Sequence, residues 1–151
     1  MDITLNTSEL MFDIRNKSHL ETARIPDAEQ RYIIEAGSDK KDELERRLIE
    51  AYHMARQLCA RYLVPDVTVR ADDGLSIPEA LVFRLNLSTR RLSGKAGALA
   101  QMLHSFICNH TLAGFYSTVS QPELSASHSN MANTDAMNIE NILYNKKPPM
   151  K

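Results

Sequence analysis

The amino-acid sequence predicts a mainly α-helical fold: a helical bundle with a small β-hairpin between the two main helices and extended terminal arms. Three observations lead to this fold class. Apolar residues recur every three or four positions over 38–64 and over 93–119, which is typical of helices with buried faces. Two short runs between those segments alternate polar with apolar residues, as strands do. The length, 151 residues, is that of one domain, so we assign 1–151 to a single domain.

The N-terminal segment, residues 1–37, predicts a short strand followed by two short helices. Residues 2–5 alternate in polarity, and Ser8 follows as a residue that can cap a helix. Pro26 is typical of the first turn of a helix. Gly37 is placed to end that second helix in a left-handed conformation.

The strongest helical pattern covers residues 38–64. Ser38 or Asp39 can cap this helix, and Pro65 ends it. One face is apolar, while the other carries acidic residues four positions before basic ones, an arrangement that stabilises an exposed face weakly. We therefore expect an amphipathic helix with one buried and one solvated face.

Residues 66–88 are predicted to form the hairpin. Residues 67–70 and 81–87 are the two alternating runs, and Asp72, Asp73 and Gly74 between them are typical turn residues. Every second residue of the second run is apolar, so the ribbon is expected to lie with one face on the helical core.

The C-terminal half predicts two more helices and a tail. Residues 93–119 are apolar on almost every side, which indicates a central helix contacted by several others or by a neighbouring subunit. Residues 121–144 begin at Gln121-Pro122 and are rich in small polar side chains, so this helix is expected to pack loosely on the core or on another copy. The basic, proline-rich residues 145–151 predict an extended arm.

Charge and hydropathy argue against two classes of partner. Lys and Arg total 18 and Asp and Glu total 19, so the net charge of -1 gives no general attraction to nucleic acid or to an anionic membrane. No apolar run approaches the ~18 residues of a membrane span. Residues 1–20 carry scattered charges and lack the apolar core of a signal peptide. We expect no membrane partner and no sequence-specific nucleic acid.

The sequence offers no convincing active site. His104 and Cys108 are four residues apart on one helical face, but they lie among apolar residues and no second metal-binding pair accompanies them. Cys59 and Cys108 are expected to be reduced core thiols. Neither a nucleophile elbow nor a phosphate-binding loop is present in the sequence. We therefore expect no catalytic residues, no cofactor and no metal, and hence not an enzyme.

The order of elements resembles a known family. A charged helix ending at residues 61–63, a strand-rich excursion, and an apolar helix that runs from residues 98–104 to the aromatic residues Phe115 and Tyr116 look like the small head-tail connector, or adaptor, proteins of tailed bacteriophages. Segments 13–20, 115–121 and 144–149 are also similar to prophage structural proteins of Bacteroides-like bacteria. The additional N-terminal segment and the predicted hairpin depart from the simplest connectors.

This resemblance implies a structural role in the virion, with assembly in the cytoplasm of the bacterial host. Connector proteins form a homo-oligomeric ring, often a dodecamer, between the phage portal and the tail or neck proteins, and the resemblance carries over no catalytic residue. A non-phage helical interaction or regulatory module and an enzyme of unrecognised type are the alternatives. The candidate assembly interface consists of Leu5, Phe12, Arg84, Arg90, Arg91, Tyr144, Lys146 and Lys147.

Overall fold

A computed structural model of the chain describes residues 1–64, 77–87 and 94–144. The described elements, in chain order, are β1 (Asp2–Asn6), α1 (Thr7–Thr22), α2 (Ala28–Ile34), α3 (Lys41–Leu58), β2 (Ala80–Arg84), α4 (Ala96–Thr118) and α5 (Pro122–Tyr144). Short 3-10 turns at Ser38–Lys40 and Ala60–Tyr62 flank α3. The predicted fold class is confirmed, because the chain is mainly helical and carries a small two-stranded antiparallel sheet.

Helix α4 lies at the centre of the fold. It packs against α5, α3, α1 and β1, and its buried residues occur on most sides of the helix. Leu99, Leu103, Ile107 and Leu112 are fully buried. A helix surrounded in this way needs apolar residues at nearly every position, which is the pattern seen within 93–119.

Helix α3 contributes one apolar stripe to the core. Leu44, Leu48, Ala51 and Ala55 are its buried residues, three or four positions apart. Its other side is solvated, and there the Lys41 ammonium lies 3.8 Å from the carboxylate of Glu45. The helix therefore has the two faces that its sequence predicts.

Several helix ends differ from the sequence-based expectation. Pro26 precedes Asp27, the cap of α2, and so lies outside its first turn. Lys40 stands at the N-cap position of α3 in place of Ser38 or Asp39, and α3 ends at Leu58, before Pro65.

Asn6, not Ser8, caps α1, because the Asn6 Oδ1 accepts a hydrogen bond of 3.2 Å from the backbone N–H of Glu9. Gly37 is extended, with φ -88°, and is not left-handed. Helix α2 ends before it, where the Lys40 ammonium donates to the carbonyls of Tyr32 and Ile33 at 2.6 and 2.7 Å and so satisfies the helix terminus.

The sheet joins the N-terminus to the region between the main helices. Strand β1 pairs antiparallel with β2, so that Ile3 faces Phe83 and Leu5 faces Leu81. All four side chains are buried against the helices. Strand β2 begins at Ala80, just before the predicted run 81–87, and ends within that run at Arg84. The other predicted strand, 67–70, lies outside the described residues.

Candidate functional site

Among the described residues, the main cluster of buried, hydrogen-bonded polar side chains is centred on His128. This side chain lies on α5, is 2% exposed, and faces α1 and α4. Its Nε2 lies 2.8 Å from both carboxylate oxygens of Glu21 on α1. Its Nδ1 lies 2.9 Å from the Oδ1 of Asn109 on α4. One imidazole thus connects three helices.

The amide of Asn109 is oriented by two further acceptors. Its Nδ2 donates to Asp135 Oδ2 at 3.0 Å and to Ser105 Oγ at 3.3 Å, which leaves its Oδ1 to face His128. Both ring nitrogens of His128 therefore face acceptor oxygens. Contacts to both ring nitrogens fix the orientation of the imidazole between α1 and α4.

Tyr116 completes the cluster from α4. Its hydroxyl lies 3.1 Å from Ser18 Oγ and 3.3 Å from Glu21 Oε1, and its ring stacks on His128 with a centroid separation of 5.6 Å. Burial raises the pKa of the Tyr116 phenol above its ordinary value. The Ser18 hydroxyl also accepts the backbone N–H of Ala36 at 2.8 Å, which ties the segment after α2 to the cluster.

We call Ser18, Glu21, Asn109, Tyr116, His128 and Asp135 the polar network. General acid-base catalysis needs a proton-transferring group within reach of a substrate. His128 is enclosed, and both of its nitrogens are already occupied by groups of the same chain. The arrangement is suited to fixing α1 and α5 on α4, because each buried polar group has a partner within the chain.

The sequence did not predict the polar network. Glu21 and His128 are 107 positions apart and lie on different helices, so no local spacing connects them. The local sequence gave only a weak indication of a buried histidine. Within 125–129, His128 is flanked by serines, and this stretch has few apolar residues.

His104 and Cys108 each contact a group on α1. His104 Nε2 lies 2.6 Å from Asp13 Oδ2 on α1, and Cys108 Sγ lies 3.9 Å from the Leu10 carbonyl oxygen. Burial raises the pKa of the Cys108 thiol to about 12, which keeps it protonated. Over the three described ranges, no group of three or more His, Cys, Asp or Glu residues is placed to hold a metal ion.

The predicted assembly residues lie in different environments. Leu5 is buried in the core at 6% exposure, so its side chain is not accessible to another subunit; the alternation of β1 turns it inward, and its inclusion was wrong. Arg84 is exposed, with its Nε 3.9 Å from Asp2. Phe12 is 67% exposed.

Tyr144 is half-buried at the end of α5. Its hydroxyl donates to the Leu58 carbonyl at 2.6 Å, and its ring stacks on Tyr62 with a centroid separation of 5.4 Å. This side chain holds α5 on the end of α3. The remaining predicted interface residues, Arg90, Arg91, Lys146 and Lys147, lie outside the described residues.

Phe12 borders a groove between α1 and the segment that precedes β2. The groove encloses about 450 Å³, and its lining includes Met11, Phe12, Arg15, Ile77 and Pro78. Its lining is mainly apolar, and the exposed ring of Phe12 is available for contact at its edge.

In the described part of the chain, no helix combines the length and hydropathy needed to cross a membrane. Comparisons with protein-family models, with curated proteins and with solved structures found no match to this chain.

Proposed function

We propose that this protein is a structural subunit of a tailed phage virion that forms part of a ring at the head-tail junction. The proposal starts from the resemblance of the sequence to connector proteins. It assigns no catalytic role to the chain. Its partners are further copies of itself, in a ring such as a dodecamer, together with the phage portal and the adjoining tail or neck proteins. Assembly takes place in the cytoplasm of the bacterial host.

The observation that carries the proposal is a set of large apolar side chains left exposed on helices with packed inner faces. Phe12 and Leu20 lie two turns apart on α1 and are 67% and 62% exposed; Tyr32 and Ile33 on α2 are 65% and 59% exposed. We call these four residues the outer apolar set. Large apolar side chains that a folded chain leaves exposed are frequent in surfaces that contact other proteins.

The packing of the described chain also supports an assembly role. The polar network and the core of α4 hold α1, α4 and α5 together as one unit. A subunit that repeats the same contacts around a ring needs such a rigid body. Segments that become ordered only on contact with a neighbour then belong at its periphery. The basic, proline-rich sequence of 145–151 fits such a peripheral segment.

The first test is quantitative mass spectrometry of purified particles of the phage that encodes the chain. The result is expressed as copies of this protein per copy of portal protein. A ring predicts a fixed ratio near one, or another ratio compatible with a closed ring. Reproducible absence from particles in which other neck proteins are detected would contradict the proposal and favour a non-phage interaction module.

A second test uses the outer apolar set. Phe12→Ser should reduce incorporation into particles, whereas Asn16→Ser, which changes an exposed polar residue between Phe12 and Leu20, should not. Both variants should retain the helical circular dichroism spectrum, because neither position is in the core. Equal incorporation of the two variants would remove Phe12 from the assembly surface.

A third test removes residues 145–151. Truncation after Tyr144 leaves the hydroxyl bond to Leu58 and the ring stacking on Tyr62 in place. The thermal melt should therefore be nearly unchanged while assembly into particles is impaired. A truncated chain that fails to fold would place the tail in the core instead.

A further inference from the structure

The outer edges of the two strands differ in the hydrogen bonds that the rest of the described chain makes to them. On the outer edge of β2, the Tyr52 hydroxyl donates to the Val82 carbonyl at 2.7 Å, and the Val64 N–H donates to the Arg84 carbonyl at 2.9 Å. Leu63 pairs with Leu85 on this same side. This edge is therefore occupied by the chain itself.

Within the three described ranges, no backbone or side-chain group hydrogen-bonds to the outer edge of β1. The Met1 ammonium donates to the Leu85 carbonyl, and the Leu85 N–H donates to the Met1 carbonyl, both at 2.8 Å. The Thr7 N–H donates to the Glu79 carbonyl. The backbone N–H and C=O groups of the odd-numbered residues of β1 therefore point towards β2. The backbone N–H and C=O groups of Asp2 and Thr4, and the N–H of Asn6, consequently point away from β2. Nothing in 1–64, 77–87 or 94–144 pairs with these outward groups.

We propose that this open edge is a docking site for a second copy of the same chain, which adds its own β1 antiparallel across a two-fold axis at Thr4. The two sheets then join into one sheet shared by both subunits. In this register Thr4 lies opposite the partner's Thr4, and Asp2 lies opposite the partner's Asn6. Strand addition of this kind pairs the Thr4 N–H and C=O of the two chains with each other and each Asn6 N–H with the Asp2 carbonyl of the other chain.

In this register, the side chains along the β1 edge of one subunit are complementary to those of the other subunit. Asp2, Thr4 and Asn6 are all exposed. The Asn6 Oδ1 caps α1, which leaves its amide N–H groups free to donate to the Asp2 carboxylate of the other subunit. Opposed threonines form favourable cross-strand pairs, and no like charges face each other. A parallel pairing would instead bring the two Asp2 carboxylates together.

This inference does not rest on the proposed function, because an isologous pair is a state of the free protein. A ring about a single axis uses a different, head-to-tail contact. The pair and the ring can therefore be tested separately: the pair in solution, the ring in particles.

The experiment is sedimentation equilibrium of the full chain over a range of concentrations. The wild type should approach twice the 17.1 kDa of one chain. Asn6→Asp keeps a good helix cap but places a carboxylate opposite each Asp2, and should weaken the dimer roughly ten-fold. Asn6→Ser is the matched control, since it keeps a cap without adding charge, and should remain closer to the wild type than Asn6→Asp. High salt should reduce the difference between these two variants.

Thr4→Pro provides an independent variant. It removes the outward N–H at the centre of the pairing, while the ladder to β2 is kept because Thr4 does not donate to it. This variant should be monomeric with an unchanged melt at low concentration. Amide exchange adds a readout at residue level: the Thr4 and Asn6 amides of the wild type should become protected as concentration rises. A wild type that stays monomeric, or a dimer that both Asn6→Asp and Thr4→Pro leave intact, would overturn the proposal.

Discussion

The imidazole Nε2 of His128 lies 2.8 Å from each carboxylate oxygen of Glu21, and this contact fastens the last helix of the bundle to the first. His128 is 2% exposed, while the Glu21 side chain is 26% exposed. A pair held in this way needs both members, because a buried polar group without a partner is destabilising. The contact therefore adds a polar attachment to the apolar packing of Ala132, Ile139 and Leu143 that holds α5 on the core.

Glu21→Ala should lower the free energy of unfolding by about 2 kcal/mol, because His128 then loses the acceptor on one ring nitrogen. Urea unfolding followed by circular dichroism measures the change. Glu140→Ala, which removes an exposed carboxylate from α5, is the matched control and should stay within about 0.5 kcal/mol of the wild type. A cycle that adds His128→Ala should give a coupling of roughly 1 kcal/mol or more. Full additivity would contradict a direct interaction.

Helix faces were predictable from the sequence because they depend on local spacing. Leu44, Leu48, Ala51 and Ala55 repeat at helical intervals, and each is buried in the structure. The pairing of β1 with β2 was not predictable in the same way, because the two strands are far apart in the chain and the local alternation fits any partner.

The polar network was not predictable because it is made by tertiary contacts. A serine or histidine in a helix has no local feature that distinguishes a solvated position from a buried one with a distant partner. Asn109 is 2% exposed within an apolar helix, and its partners Asp135 and His128 lie on the next helix. Only the packing of α5 on α4 brings these groups together.

His110 should make stability depend on pH. Burial lowers its pKa from the ordinary value of 6.5, with Glu50 opposing and Arg47 reinforcing that effect. As pH falls below 6.5, the unfolded chain binds a proton that the native state resists, so the free energy of unfolding decreases. His110→Asn should lose less stability than the wild type between pH 7.5 and 5.5 in urea titrations. Above pH 7.5 the difference between the two proteins should no longer change with pH.

The two cysteines should resist modification in the native protein. Burial raises the pKa of Cys59 to about 11 and that of Cys108 to about 12, and both side chains are at most 1% exposed. Because only the thiolate reacts, alkylation at pH 8 should be many times slower than for the same chain in urea. Mass spectrometry counts the added groups over time. Rapid labelling of either thiol under native conditions would indicate that its helix opens locally.

The end of α4 holds a residue in an unfavourable conformation. Ser120 has φ 59°, in the left-handed region. The Ser120 N–H donates to the Ser117 carbonyl at 3.4 Å, and the Gln121 N–H donates to the Tyr116 carbonyl at 2.9 Å. These two bonds form a Schellman motif, whose left-handed position is usually glycine because a Cβ atom is disfavoured there.

Ser120→Gly should therefore raise the free energy of unfolding by about 0.5–1 kcal/mol. The gain is smaller than the full cost of the left-handed conformation, because glycine also increases the conformational entropy of the unfolded chain. Ser127→Gly makes the same chemical change at an exposed position inside α5, where glycine weakens the helix, and should lower stability by roughly 0.5 kcal/mol. Thermal and urea unfolding of the two variants should thus change in opposite directions. If both variants were destabilised, the left-handed conformation of Ser120 would not be costing the native state stability.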